Sequence, residues 1–97
     1  HNVRVRIVFL KTKHDNLTLE LFQYINPVGK NAGVNPANTI PLGHIAFKVQ
    51  NIFDVYEELK SQGVNFTSEP QNIPDGVTFC YMRDPDGVLI ELIEFPE

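Results

Sequence analysis

The sequence is short of several things, and each shortage narrows what the chain can be. It holds a single cysteine, Cys80, so no internal disulfide can form. A lone thiol suits a reducing compartment, and the expected location is the cytoplasm. No apolar run approaches the ~20 residues needed to cross a bilayer, which excludes a membrane-spanning helix. Basic residues are outnumbered, 8 Lys and Arg against 12 Asp and Glu. The formal net charge of −4 leaves no basic stripe for nucleic acid as a main partner. There is no phosphate-cradling glycine-rich loop and no serine-centred nucleophile elbow. An initiating methionine and a secretory leader are also missing at His1, so the chain is expected to start inside a longer one.

What is present is ordinary globular composition, with 42% hydrophobic and 21% charged residues. The length of 97 residues fits one domain and not two. Val3–Leu10 alternates and is β-branched, which predicts a strand. The polar stretch Lys11–Asn16 predicts a turn, and Leu17–Ile25 predicts a second strand returning antiparallel to the first. Asn26–Leu42 carries three prolines, two glycines and four asparagines in seventeen residues, so it reads as a loop. A loop of that length covers a site or links two halves. His44–Val49 predicts a third strand. Asn51 is placed to cap a helix starting at Ile52, with Ile52, Val55, Tyr56 and Leu59 on its apolar face. Gly63 stops that helix. Short strands are expected at 64–67, Val77–Arg83 and Val88–Phe95. Glu69–Gly76 forms a loop, and Asp84-Pro85-Asp86-Gly87 forms a tight turn. The order β-β, then β-α-β-β-β, predicts an α+β fold with one helix on a mostly antiparallel sheet.

Two segments echo each other. Thr18-Leu19-Glu20-Leu21-Phe22-Gln23-Tyr24 and Leu89-Ile90-Glu91-Leu92-Ile93-Glu94-Phe95 lie 71 residues apart. Each sets a carboxylate inside an apolar strand with an aromatic residue four places later. If the echo is a duplication, residues 43–97 form a complete βαβββ unit. Residues 1–25 are then the last two strands of another, residues 26–42 connect them, and the missing elements lie upstream of His1. The other reading is chance similarity between two strands.

Glu20 and Glu91 are the informative positions. An ionised carboxylate among Leu, Ile and Phe is costly to bury without a partner. Such a group is kept when it is paired, bound to metal or used as an acid or base. The plainer alternative is that both point to solvent from the open face of a strand. Strand alternation gives Glu91 the company of Leu89, Ile93 and Phe95, and gives Glu20 that of Thr18, Phe22 and Tyr24. Phe22, Tyr24 and Phe95 are candidates to line a pocket. His44 is either a hydrogen-bonded surface histidine or a ligand. With two carboxylates it suits a divalent cation such as Zn, Ni, Mn or Fe. Cys80 reads as a buried inert thiol, and Tyr81 as a packed aromatic with a hydroxyl that could serve a pocket.

Three motifs then carry a resemblance. They are Gly43-His44-Ile45-Ala46-Phe47, Glu58-Leu59-Lys60-Ser61-Gln62-Gly63-Val64, and Arg83-Asp84-Pro85-Asp86-Gly87-Val88-Leu89-Ile90-Glu91-Leu92, with Leu19-Glu20-Leu21 in the first half. In these the chain resembles the vicinal oxygen chelate superfamily, which includes glyoxalases, bleomycin-resistance proteins and extradiol dioxygenases. The resemblance implies paired βαβββ modules forming a cupped sheet around a metal, the first module being truncated here. It assigns His44, Glu91 and Glu20 as metal ligands, with Glu91 or Glu20 as the base. A fourth ligand, from the first strand of the first module, has no counterpart in this sequence. Glutamate at position 20 is similar to the glyoxalase I (lactoylglutathione lyase) pattern. That pattern implies removal of a proton next to a metal-polarised carbonyl of a small substrate, with glutathione as co-substrate, and pairing of modules in a homodimer. Related chemistries are the alternatives: ring-cleaving dioxygenation, acyl-CoA epimerisation, an antibiotic-resistance transferase, or metal-free ligand binding.

Overall fold

The computed structural model describes residues 2–14 and 16–97. His1, and Asp15 in the expected turn, lie outside the described residues. The strands are β1 (Arg4–Lys11), β2 (Thr18–Asn26), β3 (Ile45–Lys48), β4 (Asn65–Phe66), β5 (Gln71–Asn72), β6 (Thr78–Arg83) and β7 (Leu89–Glu94). One helix, α1 (Ile52–Ser61), follows β3. The fold is α+β. Among the described residues no helix is long and apolar enough to cross a membrane. The chain divides into two compact units, residues 1–31 and 32–97.

The first unit is the antiparallel hairpin β1–β2. Its register sets Phe9 opposite Glu20 and Ile7 opposite Phe22. Because directly opposed residues share a face, Glu20 lies on the face that carries Ile7, Phe9, Phe22 and Tyr24. The expected grouping around Glu20 is therefore present. The other face is apolar too, with Val8 opposite Leu21 and Leu10 opposite Leu19.

The second unit is a five-stranded sheet in the order β3-β7-β6-β4, with β5 also on β6. β3 runs parallel to β7, and the remaining pairs are antiparallel. One face is packed. Ile52 and Tyr56 of α1 meet Cys80 and Leu92, and Phe47, Val49, Val55, Leu59, Phe66 and Met82 close around them. The Tyr56 and Phe66 rings meet edge to face, with centroids 4.7 Å apart. The helix face expected from 3.6-residue spacing is the one that is buried. Each buried aliphatic side chain there contributes roughly 1.5–3 kcal/mol.

Three local details differ from expectation. β5 forms inside the stretch 69–76, where a loop was expected, because Asn72 Nδ2 donates to Thr78 Oγ1 at 2.9 Å and Ile73 N–H to Val77 O at 2.9 Å. β3 starts at Ile45, which leaves His44 just outside the ladder. Asn51 occupies the N-cap position, but its side chain makes no capping hydrogen bond. Its backbone is left-handed, with φ 56°, a conformation asparagine tolerates. The cap comes from β7 instead. Glu94 Oε2 accepts from Asn51 N–H at 2.7 Å, and Oε1 from Ile52 N–H at 3.0 Å. A carboxylate there pairs two otherwise orphaned donors and complements the helix dipole.

The expected turn at 84–87 is as anticipated. Asp84 Oδ1 accepts from Asp86 N–H and Val88 N–H, and Gly87 takes φ 92°. Arg83 clamps this turn to the preceding loop, donating to Gly87 O at 2.8 Å and Asn35 O at 2.9 Å.

Candidate functional site

Sheet register decides which side chains meet. Glu91 of β7 lies opposite Tyr81 of β6 and Ala46 of β3. Opposed positions share a face, and His44 is two residues before Ala46. The open face of the module therefore carries His44, Glu91 and Tyr81 side by side, opposite the face that packs on α1. His44 Nε2 lies 3.0 Å from Glu91 Oε1. The carboxylate side chain is 13% exposed and the imidazole 38%. A carboxylate this enclosed needs a partner, and the imidazole supplies one.

Aromatic rings frame the pair. The Tyr81 ring meets the His44 ring edge to face, 5.3 Å between centroids at 85°. Phe79 meets Tyr81 similarly at 5.9 Å and 74°. Burial, and then the neighbouring Glu91 charge, push the Tyr81 phenol above its ordinary range. The same two causes, in the same order, raise the Cys80 thiol. Both groups are neutral at pH 7, and Cys80 is fully buried, which fits the inert role expected of it.

The structure thus brings His44 and Glu91 together. It places Glu20, Phe22 and Tyr24 on one face of the hairpin. Phe95 follows β7 in the module, with the Lys48 ammonium 5.6 Å over its ring. Among the described residues, no group of three or more His, Cys, Asp or Glu converges on one point. The module also holds a cavity of about 190 Å³ between the loop 32–43 and the turn 83–89, and neither His44 nor Glu91 lines it. As for metal, one imidazole nitrogen and one carboxylate oxygen within 3.0 Å are the mixed N/O donors that borderline divalent cations prefer. The donor chemistry fits, and two donors alone do not close a site.

The family model of the Glyoxalase/Bleomycin resistance protein/Dioxygenase superfamily matches residues 4–92. The chain belongs to this superfamily. Lactoylglutathione lyase of Escherichia coli O157:H7 is 42% identical over 53 residues, 54% of this chain and 39% of that protein. A probable lactoylglutathione lyase of Synechocystis is 36% identical over the same length. These alignments thus span well under half of each relative. Among solved structures, a glyoxalase family protein from Bacillus cereus superposes with a TM-score of 0.84 at 24% identity, covering 95% of this chain and 62% of that one. A glyoxylase/bleomycin resistance protein/dioxygenase domain from Frankia gives 0.63 at 24% identity. At such identities the likeness is one of fold.

Within this superfamily member, sequence reasoning missed two structural features, the Glu94 cap and the Arg83 clamp. For Glu94 the signal was weak: an acid one position before the last residue of an apolar strand, with no sequence link to a helix 42 residues away. The Arg83 clamp had none, because its acceptors are backbone carbonyls.

Proposed function

We propose that this chain carries part of the active site of a lactoylglutathione lyase-like metalloenzyme. In this reading His44 and Glu91 hold a divalent cation (Zn, Ni, Mn or Fe), and Glu20 contributes a further ligand from the hairpin. The observation that carries it is the 3.0 Å contact between His44 Nε2 and Glu91 Oε1 on the open face of a sheet anchored from behind. Support comes from superfamily membership and from the names of the curated relatives.

When bound, the metal supplies Lewis-acid polarisation of a substrate carbonyl. The chain's own residues do the rest. Glu91, or Glu20 in its place, removes the proton next to that carbonyl and returns it to the neighbouring carbon. Phe22, Tyr24 and Phe95 shape an apolar wall against the substrate. The substrate class is the hemithioacetal of glutathione and a 2-oxoaldehyde, with glutathione as co-substrate. We further propose that residues 1–25 close one βαβββ module, 26–42 connect, and 43–97 form a second, the modules being paired in a cytoplasmic homodimer.

The test uses the full-length protein. Elemental analysis should show metal content at background in His44→Ala and in Glu91→Ala. Undiminished metal in both variants would end this reading.

A further inference from the structure

His44 sits in a weakly constrained place. β3 is the edge strand of the sheet, and His44 precedes its first paired residue. No ladder hydrogen bond fixes it, and its side chain is more than one-third exposed. Two side-chain contacts hold its imidazole where it is: the Glu91 carboxylate at 3.0 Å and the edge-to-face Tyr81 ring at 5.3 Å. The strand order β3-β7-β6 sets His44 and Tyr81 on either side of Glu91. To touch Tyr81 the imidazole must lean across β7, on the same side as the Glu91 carboxylate.

The two contacts differ in what a cation would do to them. The Glu91 contact uses Nε2 and Oε1, the atoms a metal would occupy, so the hydrogen bond between them cannot persist in a loaded site. The Tyr81 contact uses ring edges and faces and consumes no donor atom. Tyr81 is itself firmly held. It lies inside β6, which pairs with β7, β4 and β5, and its ring also packs on Phe79.

We propose that the Tyr81 ring is the positioning residue for His44, holding the imidazole over Glu91 once the direct hydrogen bond between the two has been given up to a metal. This rests on the ligand roles proposed above for His44 and Glu91.

The experiment measures Zn²⁺ affinity of the full-length protein by competition with a chromogenic chelator, so no enzymatic turnover is needed. Tyr81→Leu is expected to bind Zn²⁺ roughly tenfold more weakly, the lower end for loss of a residue that orients a ligand. Tyr81→Phe keeps the ring and is expected to stay within about twofold of wild type, since an intact edge-to-face pair retains its contact. Wild-type affinity in Tyr81→Leu overturns the proposal while leaving the ligand roles intact. A loss in Tyr81→Phe equal to that in Tyr81→Leu also overturns it, because the hydroxyl and not the ring would then matter. Wild-type protein that binds no Zn²⁺, or binds it undiminished in His44→Ala, removes the functional reading and this inference with it. Should Tyr81→Leu fail to fold, NMR of the Zn²⁺-loaded wild type decides. Cross-relaxation between the His44 and Tyr81 ring protons is expected, and its absence overturns the proposal.

Discussion

The hairpin and the βαβββ module are built from similar strands and solve opposite problems. In the module, one sheet face packs on α1, so Ile52 is 1% exposed and Cys80 fully buried. In the hairpin, both faces are apolar and exposed: Phe9 remains 57% exposed on one face and Leu21 48% on the other. A two-stranded hairpin is marginal by itself, whereas the module brings its own core. The difference bears on chemistry. His44 and Glu91 stand on an open face whose reverse side is locked, which is the support a site needs to hold its geometry. Glu20 stands among exposed aromatics on one face of the two-stranded hairpin.

The largest expected effect would break this comparison or fix it. Leu92→Ala, in the centre of the packed cluster, should lower unfolding stability by about 2–5 kcal/mol, through lost burial and the cavity left behind. Phe22→Ala, on the hairpin, should change it by no more than about 0.5 kcal/mol, as for exposed sites in general. Denaturant unfolding monitored by circular dichroism measures both. Equal losses would mean that the hairpin faces are covered in solution, and the contrast would fall.

The parts of this contrast that were legible in the sequence follow from periodicity. Ile52, Val55, Tyr56 and Leu59 announce the helix face, and alternation along Leu89–Phe95 separates Glu91 from Leu92. That separation sets Glu91 and Leu92 on opposite faces, but both faces are largely apolar in sequence, so which of them packs on the helix was not legible. The meeting of His44 with Glu91 was not legible from spacing. It depends on β3 lying parallel beside β7, a pairing between residues 47 positions apart. Family resemblance could pair them; local pattern could not. Asn51 shows the opposite failure. Its residue type signals a cap, yet its backbone is left-handed and its side chain makes no capping hydrogen bond. The capping carboxylate arrives from β7.

Glu94 therefore gives the next largest effect, one confined to the module. Glu94→Ala orphans the Asn51 and Ile52 N–H groups together and should cost about 1–2 kcal/mol. Asn51→Gly keeps the left-handed backbone and removes a side chain that caps nothing, so it should shift stability by less than about 0.5 kcal/mol. Thermal melts of the two variants against wild type give the ranking. A larger loss for Asn51→Gly would return the cap to asparagine.

The smallest effect concerns alkaline pH, and it also belongs to the module. The folded state holds the Cys80 thiol above its ordinary range, chiefly through burial and then through Glu91. The unfolded chain therefore loses this proton first as pH rises. Above the usual thiol pKa of about 8.5 the native state binds more protons than the unfolded one, so stability falls with pH until the folded thiol itself ionises. Tyr81 adds a loss of the same sign at higher pH, since its phenol is raised as well. Urea midpoints taken between pH 7.5 and 9.5 should decline in wild type. In Cys80→Ala they should start lower, because a buried side chain has been trimmed, and then stay nearly flat over that range. A parallel decline in both proteins would place the alkaline sensitivity outside the packed face of the module.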